Sequence, residues 1–235
     1  MNSASRSAIV RLQSGCAGRL LRYARNDVKK LIFPLFLSAC SVIEQPSAMI
    51  PRWTTAWREA ATANDEQRLR DWRSSFVAAL EAARKTGHGA EIDREGALLN
   101  PDAALGPPPI PDGAYRCRVI KLGAKSEGML DFVAYPQFNC VIRAERRLQQ
   151  LTKTSGSQRL VGLIFPNDAM NQILLGTLVL GDEQRAMQYG EDEARDVAGF
   201  IERIGPNRWR LVMPSPHFES RLDVMDLIPS TAGAH

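Results

Sequence analysis

The chain has 235 residues, of which 44% are hydrophobic and 24% charged. This composition excludes collagen, coiled coil and wholesale disorder and leaves room for one or two globular domains. The formal net charge is +4, but residues 1–39 hold seven Lys and Arg against one Asp, a surplus of six that leaves −2 for residues 40–235. The basic character belongs to the leader, and nucleic acid is not expected as a partner.

Lys29 and Lys30 precede an apolar run, Leu31 to Ala39, broken by Pro34 and Ser38, which ends Leu37-Ser38-Ala39-Cys40. Nine helical residues rise only about 14 Å against a hydrocarbon core of roughly 30 Å, so the run reads as an export signal and not as a membrane span. Leu-Ser-Ala-Cys resembles the lipobox of bacterial lipoproteins. The resemblance implies cleavage before Cys40, acylation of its thiol and anchoring of the chain to a membrane by lipid. Ser41 stands where an aspartate would favour inner-membrane retention, so a periplasm-facing outer-membrane lipoprotein is expected. Arg6, Arg11, Arg19, Arg22 and Arg25 are scattered without amphipathic order ahead of the lysines. Either Val28 is the true start and residues 1–27 are a misassigned upstream stretch, or the signal has a long basic region.

With Cys16 in the leader and Cys40 acylated, Cys117 and Cys140 remain, and in an oxidising compartment they are expected to form a disulfide. It would close a loop of 24 residues, counted inclusively, and contribute on the order of 3 kcal/mol by chain-entropy reasoning. A zinc pair is the competing reading. However, there is no CxxC and only His88, His217 and His235 could complete a ligand set, so neither metal nor cofactor is expected.

Residues 40–51 have two prolines and no period, and read as a tether. Residues 52–99 form a helical segment: Leu69, Trp72, Phe76, Val77, Leu80 and Ala83 recur at three- and four-residue steps. Asn64 with Gln67 offers a capping box, and Arg84, Lys85 and Gly87 a stop. Trp53 and Trp57, at i and i+4, read as packing residues of a shorter preceding helix. Residues 100–113 carry six prolines or glycines between Gly106 and Gly113, which excludes helix and predicts an extended linker.

From residue 114 to 229 the period becomes two, and Phe138, Cys140 and Ile142 fall on one side, with both cysteines inward. Further runs at 146–154, 158–165, 172–180, 196–204, 208–213 and 221–228 are separated by turn signals such as Ser155-Gly156, Gly181-Asp182 and Gly205-Pro206-Asn207. The expected fold is therefore α+β, an N-terminal helical segment followed by an antiparallel β-barrel or sandwich, lipocalin-like by analogy, with a short tail at 230–235.

No G-x-S-x-G, H-E-x-x-H, P-loop or G-x-G-x-x-G is present. A hydrolase triad from Ser215 or Ser220, His217 and Asp223 would need near neighbours in sequence to converge, which strand and turn geometry disfavours. Lys153, Ser155, Gly156, Ser157 and Arg159 surround a glycine turn and form a candidate anion-binding group, or else the solvated face of a hairpin. Glu183, Glu191, Asp192, Glu193 and Asp196 read as a solvated acidic surface without calcium-loop spacing. Arg116, Arg118 and Lys121 beside Tyr115 do not outweigh the negative balance of the exported chain.

The segments PDGAYRCRVIKLG, FVAYPQFNC, TKTSGSQRLVGLIFP, LGTLVLGDE, AGFIERIG, PNRWRLVMPSP and HFESRLDVMDLIP resemble a bacterial envelope family, the domain of unknown function numbered four-eight-nine-three. The resemblance spans roughly residues 53–229 and implies export and a shared fold without assigning a catalytic residue. The closing strand pattern is also similar to small calycin-like barrels, a fold analogy only. The functional expectation is a non-catalytic module that binds a small molecule or an envelope component. The alternative is an inhibitor of an envelope or host hydrolase.

Overall fold

In the computed structural model, residues 54–230 are described. The leader, Cys40, the tether, Trp53 and residues 231–235 lie outside the described residues.

The helical segment comprises α1 (Trp57–Ala60), α2 (Ala63–Arg70), α3 (Trp72–Lys85), α4 (Gly89–Glu95) and a 3₁₀ turn (Gly96–Leu99). The expected single long helix is divided at Asp71, whose backbone (φ −90°, ψ 9°) leaves helical geometry between α2 and α3. The cap of α2 also differs from the Asn64–Gln67 box. Thr62 accepts the amide of Asp65 at 3.2 Å, while Asn64 faces His217 instead. Gly87, at φ +96°, ends α3, and the His88 amide reaches back to the carbonyl of Ala83, as a left-handed C-terminal cap requires.

The strands are β1 (Gly113–Ala124), β2 (Phe132–Ala134), β3 (Phe138–Glu145), β4 (Leu148–Lys153), β5 (Gln158–Pro166), β6 (Asn171–Leu180), β7 (Asp196–Gly205), β8 (Arg208–Pro214) and β9 (Ser220–Pro229). Neighbours pair antiparallel in the order β2-β1-β3-β4-β5-β6-β7-β8-β9, and β1 also pairs β9 from Tyr115↔Pro229 to Ala124↔Ser220. That last pairing closes an eight-stranded up-and-down barrel and removes its sheet edges. Because β1 is twelve residues long, its first half pairs β3 and its second half has room for the short extra strand β2. The Cys117–Cys140 disulfide joins β1 to β3 inside the barrel, with Cα atoms 6.1 Å apart.

Both faces of the barrel wall are apolar. Inward positions such as Cys117, Ile142, Leu151, Leu174 and Leu211 make the barrel core. The outward positions Ile120, Leu122, Val212 and Val224 lie under Phe76, Ala79 and Ala83 of α3. Outward Leu163, Phe165 and Leu175 lie with Leu69 of α2. Each such side chain contributes roughly 1.5–3 kcal/mol on full burial, so the helices are held by the barrel's outer surface. α3 lies close against the barrel at Gly123, where a Cβ would stand 3.1 Å from the Ala79 Cα. Arg210 of β8 fixes the end of the helical segment. It is fully buried and pairs with Glu202 at 2.7 Å, and its guanidinium donates to the carbonyls of Ala97, Leu98 and Asn100 at the end of the 3₁₀ turn, where helix carbonyls lack a full set of intrahelical partners.

The proline-rich segment connects the helices to β1 and also covers one end of the barrel. Leu105 bridges Arg203 of β7, the amide of Ile110 donates to Gln172, and the Tyr115 hydroxyl donates to the Pro111 carbonyl at 2.6 Å. Ile110 is buried among the barrel's interior side chains. The opposite end is open.

Candidate functional site: the open end of the barrel

Above the packed lower half, the interior widens into a half-open cavity of about 440 Å³. Its floor is apolar, built by inward side chains of the barrel strands: Val119, Phe138, Leu160, Leu178, Val197 and Met225. The rim is charged. Towards the mouth, the same alternation brings in Lys121 after Val119 on β1, Asp223 after Met225 on β9 and Lys153 after Leu151 on β4, while α2 contributes Arg68 from outside the barrel.

The rim charges differ in how they are satisfied. Lys121 meets Glu219 at 2.7 Å and Asp223 at 3.5 Å. Burial opposes its charge, but the two carboxylates outweigh that and raise its pKa. Asp223 also accepts from the Ser220 hydroxyl. Burial raises the Asp223 pKa against the pull of Lys121 and Ser220. Arg68 is 7% exposed. It is held by Asp65, itself bonded to the Tyr189 hydroxyl, and donates to the Asp196 carbonyl at 3.1 Å. Asp196 is 4% exposed, and its Oδ1 accepts the Gly190 amide at 3.0 Å while Oδ2 has no partner. Burial pushes its pKa up to about 6, against the Gly190 bond. Burial, then Arg68 and Lys125, lower the pKa of His217, favouring the neutral imidazole.

Of the candidate anion-binding group, Lys153, Ser155, Gly156 and Ser157 all line this cavity. Arg159 does not. Its guanidinium donates to the carbonyls of Gly181 and Glu183, because it stands beside the β6–β7 connection, which leaves those acceptors within its reach. Asp196 parts from the acidic group by turning inward, whereas Glu183 pairs with Arg195 at 2.7 Å. The imagined triad is not assembled: Ser220 bonds Asp223 directly, Ser215 bonds Ser75 at 3.1 Å, and the polar contact of His217 is Asn64 at 3.5 Å. Arg118 pairs with Glu95 outside the barrel. Trp57 donates to Asn167.

A family-wide sequence profile, the domain of unknown function DUF4893, matches residues 57–227. The chain belongs to this family. No curated protein and no solved structure matches it. The cavity lining runs from Arg68 to Met225, so the site lies wholly within the DUF4893 domain. Sequence reasoning missed Arg68, Lys121, Asp196 and Asp223 as site residues. Lys121 and Asp223 carried a readable signal, since they continue the inward alternations Cys117-Val119-Lys121 and Leu227-Met225-Asp223. Arg68 carried none, because only the tertiary fold brings α2 to the barrel mouth.

Proposed function

We propose that this protein is a binding module that takes one small molecule into the open end of its barrel without transforming it, while anchored by lipid at Cys40 to the outer membrane and facing the periplasm. The observation that carries the reading is the cavity. A volume of about 440 Å³ lies within the roughly 300–1,000 Å³ usual for small-molecule sites, and an apolar floor under a few polar groups is the usual lining. A barrel closed at one end by Ile110 and open at the other suits a single ligand entering from the mouth. The non-catalytic half of the reading is supported by the hydrogen bonding at the mouth. Among the described residues, no hydroxyl or thiol is bonded to His217, so no serine–histidine or cysteine–histidine pair is formed there. The Cys117–Cys140 bond supports export, since such bonds persist in oxidising compartments.

The test of binding is a fluorescence titration of the full chain with 1-anilinonaphthalene-8-sulfonate, in parallel with a Leu178→Trp variant that fills the cavity floor. Saturable one-to-one binding, lost in the variant while its melting transition is kept, is the expected result. Equal binding by both proteins would place the probe elsewhere and overturn the reading. The anchor is tested by mass spectrometry of membrane-purified protein, which should begin at an acylated Cys40. A cytosolic chain retaining residues 1–39 would contradict it.

A further inference from the structure

The cations on the cavity wall are not equivalent. Arg68 is matched by Asp65, and Lys121 by Glu219 and Asp223. Among the described residues, Lys153 has no carboxylate within salt-bridge distance. Its ammonium has three donors. One reaches the Gln158 carbonyl at 2.7 Å, and the nitrogen lies 4.2 Å from the centroid of Phe138, a residue of the apolar floor. Lys153 therefore stands at the seam between floor and rim, with donor capacity left over. The Ser155–Ser157 turn folds beside it. Gly156 at φ +90° brings its backbone so near that a Cβ there would lie 3.4 Å from the ammonium. Ser155 and Ser157 line the same cavity, and their hydroxyls make no hydrogen bond within the described residues.

We infer that the ligand is an amphipathic anion, its negative head on the Lys153 ammonium beside the Ser155–Ser157 turn and its apolar part on Val119, Phe138, Leu160 and Leu178. This rests on the reading of the cavity as a binding site and adds the chemical class of its occupant. Charge placement selects the Lys153 side for the head. Asp196 lies on β7, three strands away round the barrel, and Glu219 and Asp223 already engage Lys121, so an anion at either of those places would face carboxylates. An uncompensated ammonium on an apolar wall is costly. Burial, and then the charge of Lys121, push its pKa below the ordinary lysine value, a penalty that an anionic head relieves.

The experiment is calorimetric titration of the full chain with decanoate, with decan-1-ol as the neutral analogue and inorganic phosphate as the head without a tail. It is repeated on Lys153→Met, which keeps the stem, and Lys153→Arg, which keeps the charge. Decanoate should bind about tenfold or more tightly than decanol, and phosphate should not compete at equal concentration. Lys153→Met should bring decanoate to the level of decanol, and Lys153→Arg should restore most of the difference. Equal affinity for decanoate and decanol, or an unchanged preference in Lys153→Met, overturns the head-group assignment while leaving the cavity as a site. Competition by phosphate at the same concentration overturns the amphipathic class. Binding of neither decanoate nor decanol overturns this inference together with the reading beneath it.

Discussion

Arg210 carries more of the architecture than its position in an apolar strand suggests. It is fully buried, its charge is balanced by Glu202, and it holds the carbonyls that end the helical segment. Burial lowers the Arg210 pKa and raises that of Glu202, each opposed by the other's charge. Arg210→Met removes one member of a buried pair, and should cost about 3–5 kcal/mol. At roughly 2–4 °C per kcal/mol the loss is plain in a melting curve. Adding Glu202→Leu should recover part of it, and a single variant as stable as the parent would contradict this role. Asp196 gives a pH-dependent prediction. Its folded pKa, about 6, lies above the ordinary value of 3.8. Between those values the folded chain binds the proton more tightly than the unfolded one, so this contribution to stability is present in acid and lost as pH rises through about 6. Asp196→Asn should therefore be neutral near pH 3.5 and stabilising by about 1–3 kcal/mol at pH 7.5, read from denaturant titrations at both values. A gain of equal size at both would show that the carboxylate charge is not the cause. At this scale the sequence was partly legible. The alternation that places Cys117 and Val119 inward also places Lys121 inward, and with Leu160 inward it turns Arg159 outward, but the carbonyls of Gly181 and Glu183 that Arg159 meets there lie more than twenty residues away.

The elements were legible where a local period decides them. The strands of the closed barrel follow alternating or continuous apolar runs bounded by turn residues, except β4, LQQLTK, whose two leucines stand three apart. The three-residue β2 was not legible. It is too short to show a period and exists because the second half of β1 is free of β3. The break at Asp71 was hidden for a related reason: Leu69 and Phe76 share a helical spacing, but Leu69 packs with Phe165 and Leu175 and Phe76 with Ile120 and Val212, so one straight helix cannot serve both parts of the wall. Interior glycines mark close backbone approaches within the barrel wall. Gly162 and Gly176 are paired across β5 and β6, and a Cβ on Gly176 would stand 2.3 Å from the Val161 carbonyl. Only glycine permits that approach. The disulfide acts on the same scale by tying β1 to β3. Its loop predicts that Cys117→Ala with Cys140→Ala destabilises the domain by about 3 kcal/mol. Differential scanning calorimetry without reductant checks it. Unchanged melting, or two titratable thiols at residues 117 and 140 in the oxidised protein, would contradict it.

On the scale of the whole molecule, the two ends of the barrel differ. The proline-rich segment fills one, with Ile110 in the core and backbone contacts to Gln172 and Arg203. The other opens onto the apolar floor and charged rim. Composition announces an extended chain at 100–113, but an extended chain is equally a spacer or a cover. Which of the two it becomes is set by strands 60 to 100 residues further on. The rim cations arrive by different routes: Lys121 and Lys153 from the barrel itself, and Arg68 from a helix packed outside it. The cavity is thus a joint product of both halves of the chain. Its role as the binding site is the central claim, and the most direct measurement is a map of backbone amide chemical shifts in the full chain titrated with decanoate. Shifts concentrated at Val119, Phe138, Lys153 to Ser157, Leu160 and Leu178, with the Ile110 and Trp209 end unmoved, are predicted. Shifts confined to the barrel exterior or to the closed end, or none at saturating decanoate, would contradict it.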